Sequence, residues 1–198
     1  MSAMTRNRIV DEAMRLFGDQ GYKATTIAQI EKAAGLTPGA GGLYHHFKTK
    51  QDVLAAGIER HLARLDALRD IRRVLAGVGD LAAELTVTAR FILAELDNES
   101  ELLRILASEA RNRPEMLTTA VDQLISSTFT GFAGWIAEHA AGPLSDEQAS
   151  AIAVVGLGGL LSSRLLRDVL GAPLDVSDEA LVSSWVKVMT ATLTHTTT

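Results

Sequence analysis

Residues 25–54 read TTIAQIEKAAGLTPGAGGLYHHFKTKQDVL. Thr25 or Thr26 can cap a helix, because a small side-chain hydroxyl accepts from the free N–H groups of the first turn. Ile27 and Ile30 then share one face, and Gly35 supplies a stop. Thr37-Pro38 reads as the next start, a cap followed by proline at the first helical position. Thr49-Lys50-Gln51-Asp52 has the shape of a capping box with Asp in place of Glu, and it opens a long helix. Two short helices about a tight turn are the elements of a helix-turn-helix, whose second helix enters the major groove of a duplex. Lys48, Lys50, Tyr44, His45, His46 and several threonines surround it, and such cations and hydroxyls hold phosphates. The competing reading is an ordinary helical hairpin with Tyr44 and Phe47 in its core.

Outward from this stretch the apolar spacing stays helical and strand signals are nearly absent. Ile9, Ala13, Leu16 and Phe17 mark a first helix ending near Gly21. Leu54, Ile58, Leu62, Leu65 and Leu68 carry the helix from Thr49 to about Leu75. Gly77 to Asp80 is a break, and Asp80 caps a helix to about Leu96. Asn98 with Glu101 forms a second capping box, opening a helix that ends before Pro114. Pro114 to Ala141 is a long helix closed by Gly142-Pro143. Ser145 with Gln148 caps a helix running to Leu170, and Ser177 caps the last. The expected fold is all-α, with about nine helices.

The chain has 198 residues, 47% of them hydrophobic and 22% charged, which is enough for a real core. It has no cysteine. That excludes disulfides, thiolate zinc sites, iron–sulfur clusters and cysteine nucleophiles. Arg6, Arg8, Asp11 and Glu12 interrupt any apolar leader. The longest nearly uncharged apolar run, Ala149–Leu161, reads as too short to span a bilayer. The expectation is a soluble, cytoplasmic protein with no membrane partner. The net charge of −5 hides an asymmetry. Residues 1–52 hold seven Lys/Arg against five Asp/Glu, and the remainder holds twelve against nineteen. A basic head on an acidic body suits a polyanion-binding module joined to a different one.

Catalytic signatures are missing: no phosphate-binding lysine loop, no nucleophile elbow and no zinc-protease motif. His45 and His46 are adjacent, so on a helix they do not share a face, and no metal is expected. Asp and Glu are scattered as solvated helix faces. The chain reads as a non-enzyme without a cofactor.

The run Phe17…Gly21-Tyr22…Thr25-Thr26-Ile27…Ile30…Ala34-Gly35…Leu43-Tyr44-His45-His46-Phe47-Lys48-Thr49-Lys50…Val53-Leu54 resembles the DNA-binding domain of the TetR family of bacterial transcriptional regulators. The resemblance covers roughly residues 5–54. It implies a three-helix helix-turn-helix domain over 1–48, a helical effector-binding and dimerisation domain over 49–198, and a homodimer. Carried across by position, it implies that Thr26 meets a phosphate at the start of the second helix and that Thr37 opens the recognition segment. Tyr44 and His46 contact backbone or base edges, with His45 and Lys48 beside them. Lys50 holds a phosphate at a helix N-terminus, and Arg6 and Arg8 form an arm along the DNA. Phe17, Ile27, Ile30, Leu43 and Phe47 read as core.

One departure stands out. The commonest family pattern has five residues between the Ala-Gly and Leu-Tyr pairs, whereas this chain has seven, Leu36 to Gly42. Two extra helical residues turn everything after them by roughly 200°, so the turn is expected to absorb them. Gly39, Gly41 and Gly42 each cost about 1 kcal/mol relative to Ala inside a helix. The segment is therefore expected to be loosely ordered without DNA. Gly39, Ala40, Gly41 and Gly42 bring no hydrogen-bonding side chain, so close backbone approach and DNA shape carry more of the readout.

In the body, the middle helices are expected to enclose an apolar effector pocket from Arg90, Phe91, Glu109, Asn112, Met116, Ser126, Phe129 and Phe132. By the resemblance the two C-terminal helices form the dimer pair, with Gly156, Leu157, Leu161, Leu165, Trp185, Val188 and Met189 at the interface. The alternative is that these residues build an intramolecular core. The functional expectation is a repressor that binds a palindromic operator on double-stranded DNA and is released by a small apolar effector. The alternative is a helical ligand-binding or interaction protein that has lost specific DNA binding.

Overall fold

The fold is a set of α-helices joined by capped turns. The computed structural model describes residues 2–75, 80–109, 122, 126–172 and 174–195. Among them are eight α-helices and no strand. They are α1 (Ser2–Gln20), α2 (Ile27–Ala33), α3 (Lys50–Leu75), α4 (Leu81–Asn98), α5 (Ser100–Glu109), α6 (Gly131–His139), α7 (Asp146–Arg164) and α8 (Asp178–Thr194). A 3-10 turn covers Leu43–His45, and single π turns cover Ser126–Thr130 and Leu165–Val169. The chain divides into two compact units, residues 1–64 with 99–120, and residues 65–98 with 121–198.

In the first unit, α1 buries Ile9, Val10, Ala13, Met14 and Phe17. The α2 start is a complete capping box: Thr26 Oγ1 accepts from Gln29 N at 3.2 Å, and Gln29 Oε1 accepts from Thr26 N at 2.7 Å. Ile30, Ala34, Leu43 and Phe47 close over this core, and Val53, Leu54 and Ile58 of α3 complete it. Tyr22 packs its ring 5.0 Å from that of Phe17. Helix α5 adds Leu102 and Ile105 to the same unit. The start of α3 is as expected: Asp52 accepts from Thr49 N at 2.9 Å, and Thr49 Oγ1 accepts from Asp52 N at 3.1 Å.

The second unit packs four helices around one core. Leu85, Ala89 and Leu93 come from α4, and Phe132, Ala133 and Ile136 from α6. Ala149, Ala153, Leu157 and Leu160 come from α7, and Val182, Trp185, Met189 and Leu193 from α8. Trp185 donates its indole N–H to the Gly156 carbonyl at 2.7 Å, which satisfies the one polar atom that the ring brings into the core. A Cβ at residue 156 would lie 3.0 Å from Met189 Sδ and 3.3 Å from the Phe132 ring, so a larger residue requires these side chains to give way where α7 meets α8. At the end of α7 the buried Arg164 guanidinium forks between two carboxylates. It donates to both oxygens of Asp97, at 3.0 and 2.9 Å, and to both of Asp178, at 2.6 and 2.7 Å. This ties α4, α7 and α8 together.

Two expectations are corrected and a third falls partly outside the described residues. The capping box at Asn98 and Glu101 does not form: α4 runs through Asn98, whose amide reaches back to Glu95 at 3.5 Å, and the Glu99 carbonyl opens α5 by accepting from Leu103 N at 3.1 Å. The apolar stretch around Ala149–Leu161 belongs to a longer segment, Asp146–Val169, whose 24 residues match a membrane span in length and composition. Its buried face, however, packs into the second unit's core. The first part of the long helix expected from Pro114 lies outside the described residues; from Ser126 a π turn runs to Thr130 and α6 follows to His139.

Candidate nucleic-acid interface

The stretch after α2 is where sequence and structure diverge most. Residues 38–42 are turns, not the α-helix expected from Thr37-Pro38, and helical geometry returns only in the 3-10 turn Leu43–His45. The reason is local. Gly39 and Gly41 stand at φ +76 and +78, a region closed to a right-handed helix and costly for any residue with a Cβ. The turn thus takes up the extra residues. Ala40 N donates to the Thr37 carbonyl at 3.2 Å, and Tyr44 N to the Gly41 carbonyl at 3.0 Å.

The loop is held from beneath by a residue that the sequence reading missed. Glu31 of α2 is fully buried. Its Oε2 accepts from Gly39 N at 2.6 Å, and its Oε1 accepts from Leu43 N at 3.0 Å. These two hydrogen bonds join the glycine-rich segment to α2. The signal was present in the sequence: Glu31 lies four residues after Ile27, on the apolar face of a short helix, and a carboxylate there needs donors.

On the outside of this frame, Thr37, Gly39, Ala40, Tyr44, His45 and Lys48 are exposed, with Tyr44 at 56%. Gly41, Gly42 and His46 are half-buried. Thr26 is exposed at the α2 cap, and its hydroxyl is engaged with Gln29. Arg6 and Arg8 are exposed on α1, so the expected arm is helical from its start. The Arg6 guanidinium lies 4.8 Å from the Phe47 ring centre. Phe17, Ile30, Leu43 and Phe47 are buried and Ile27 half-buried. Lys50, expected to hold a phosphate, is half-buried at the start of α3, where Nζ donates to the Tyr22 carbonyl at 2.6 Å and to the Thr25 carbonyl at 2.7 Å.

Residues 9–56 match the family described as bacterial regulatory proteins, tetR family. The N-terminal part of the chain is thus similar to the tetR family. Over 51 residues it is 49% identical to the HTH-type transcriptional regulator AcrR of Shigella flexneri, a match covering 26% of this chain and 23% of that protein. The chain spans less than a third of the length of the first curated relatives it matches. A likeness along the whole chain is found with the HTH-type transcriptional regulator BetI of Brucella anthropi, 26% identical over 206 residues, 95% of this chain and 94% of that one. The fold resembles that of the fatty acid degradation regulator FadR from Bacillus halodurans, with a TM-score of 0.71 at 19% identity over 93% of this chain and 94% of that one. The tetR-family match thus contains α1 from Ile9 onward, α2, the glycine-rich loop and the start of α3.

The other expected site residues fall as follows. Arg90 is exposed on α4, directed to solvent rather than into a wall, and Phe132 is fully buried as core. Phe91 and Phe129 are half-buried in the second unit. Glu109 is buried in the first unit. Ser126 opens a π turn, while Asn112 and Met116 lie outside the described residues. Of the expected dimer residues, Gly156, Leu157, Trp185 and Met189 are buried within one chain, because α7 and α8 use them against each other and against Phe132. Leu161 and Leu165 are half-buried, and Val188 is 59% exposed. The sequence reading missed Val154 and Val155 of α7, which are 56% and 70% exposed.

Proposed function

We propose that the protein is a ligand-responsive, DNA-binding transcriptional regulator that acts as a homodimer on a palindromic operator. The observation that carries this reading is the set of exposed residues Thr37, Gly39, Ala40, Tyr44, His45 and Lys48, displayed on a head that matches the tetR family and framed by buried Glu31. Tyr44, His45, His46 and Lys48 supply ring, imidazole and ammonium donors, and the glycines allow the backbone to approach closely. Two such heads must meet major-groove faces about 34–36 Å apart, which requires a dimer and a two-fold operator. Val154, Val155 and Val188, with Leu161 and Leu165, are among the exposed or half-buried apolar residues that α7, its π turn and α8 offer a second copy.

Repression relieved by a small apolar effector is the regulatory mode we assign. Helix α3 begins in the head unit, and its residues from 65 onward belong to the second unit. An effector that favours one arrangement of the second unit biases the head through this continuous helix, and couplings of this type are typically 1–3 kcal/mol. The fit of a cytoplasmic, non-catalytic role follows from the same reading.

Footprinting of the purified protein on DNA flanking its own gene tests the proposal. Protection of two half-sites about one helical turn apart supports a dimeric operator binder. A protein that protects no DNA at low salt is instead a ligand-binding or interaction module.

A further inference from the structure

We propose that Glu31 is the positioning residue of the DNA-reading segment, and that this protein presents a carboxylate-pinned loop where a recognition helix is expected. The inference rests on the DNA-binding reading above and adds to it the residue that sets the loop's shape. The glycine-rich stretch from Leu36 to Gly42 cannot hold itself by helical hydrogen bonds, because Gly39 and Gly41 have positive φ. The Gly39 and Leu43 amides turn inward instead, and both end on one fully buried carboxylate, at 2.6 and 3.0 Å. Two fixed points four residues apart define the path of the exposed residues between them. Tyr44 follows directly on the second fixed point, so its exposed ring inherits its direction from Glu31.

The chemistry of the site makes carboxylate the fitting group. Both partners are donors, so the buried side chain must accept twice, and an ionised carboxylate does this with one oxygen for each amide. An amide side chain accepts on one side only and sets its own N–H against the other donor. Hence Glu31→Gln keeps the volume and loses the shape.

Two readouts on the full-length protein separate this proposal from the reading beneath it. The first is amide exchange. Glu31→Gln is expected to speed exchange at Gly39 and Leu43 by at least about tenfold, with α1 amides such as that of Phe17 unchanged. Unaltered exchange at both overturns the proposal. The second is enrichment from a randomised duplex pool. The wild type is expected to enrich a motif, and Glu31→Gln to lose at least about tenfold of the preference for that motif over scrambled duplex, with scrambled binding within about twofold. Equal loss on both duplexes, or none, overturns the positioning role. A wild type that enriches nothing overturns the regulator reading and with it any role for Glu31 in readout, while exchange still decides whether Glu31 holds the loop. Should Glu31→Gln fail to fold, wild-type exchange decides: Gly39 and Leu43 amides as slow as core amides support the pinning, and free exchange there overturns it.

Discussion

The Lys50 ammonium lies 4.3 Å from the Tyr22 ring centre and donates to the Tyr22 carbonyl at 2.6 Å. With the second bond, to the Thr25 carbonyl, it satisfies two acceptors just ahead of α2 and fixes where Thr26 begins that helix. Lys50 thereby ties the start of α3 to the loop ahead of α2. Replacing Lys50 with Met is expected to lower stability by about 1–3 kcal/mol, the range for hydrogen bonds to a charged group, measured by urea unfolding. Because it acts as a tie, the slope of log affinity against log salt should stay unchanged. A slope reduced by about one would mean that Lys50 neutralises a phosphate instead.

The Arg164 fork predicts a pH dependence. Hydrogen bonds from Arg164 hold the Asp178 carboxyl below its ordinary value, against a smaller opposing effect of burial. For Asp97 burial is the largest single influence and pushes upward, but hydrogen bonds from Arg164 and Arg167 together outweigh it, and this carboxyl too is lowered. Carboxyls lowered on folding stabilise the fold above the ordinary carboxylate range, and this is lost as pH falls through their folded values, below about 4. Urea midpoints should therefore fall steeply between pH about 4 and about 2. The double variant Asp97→Asn with Asp178→Asn should flatten that fall. At neutral pH it should cost about 1–3 kcal/mol, less than the roughly 3–5 of a fully buried pair, because both aspartates are well exposed.

Trp185→Phe removes the indole N–H that reaches the Gly156 carbonyl inside the second unit's core. The expected loss is about 1–2 kcal/mol in thermal or urea unfolding, combining the bond with the smaller ring. A loss near zero would show that the ring alone, not its N–H, seats α8 on α7.

Charge on the exposed valines tests the second copy. Val155→Lys combined with Val188→Lys places two ammonium groups on residues that are 70% and 59% exposed. We expect a folded monomer in sedimentation, since single-chain packing does not use these side chains. An unchanged dimer would place the interface elsewhere.

Much of the fold could be read from end signals. The capping pairs Thr49 with Asp52 and Ser145 with Gln148, and the single cap at Ser177, all sit where the sequence puts them. Short-range hydrogen bonding decides these positions, so local sequence suffices. Asn98 failed because Glu99 offers its own carbonyl one residue later, and helix ends compete within a residue or two. The loop after Gly35 failed for a longer-range reason. Thr37-Pro38 is a good local start, but Glu31 captures the Gly39 and Leu43 amides from α2. The apolar faces of α7 and α8 were ambiguous in kind: Gly156, Trp185 and Val188 satisfy the same pattern whether they face a partner chain or their own. Only packing separates the buried Trp185 from the exposed Val188.

The most direct test of the account is fluorescence anisotropy of the purified protein on duplexes flanking its own gene, across a salt series and against scrambled DNA. The account predicts sequence-preferring binding whose log affinity falls steeply with log salt. It also predicts that Tyr44→Ala weakens the preferred duplex by about 1–3 kcal/mol more than the scrambled one. Binding that is absent at low salt, or that ignores both sequence and Tyr44, would contradict it.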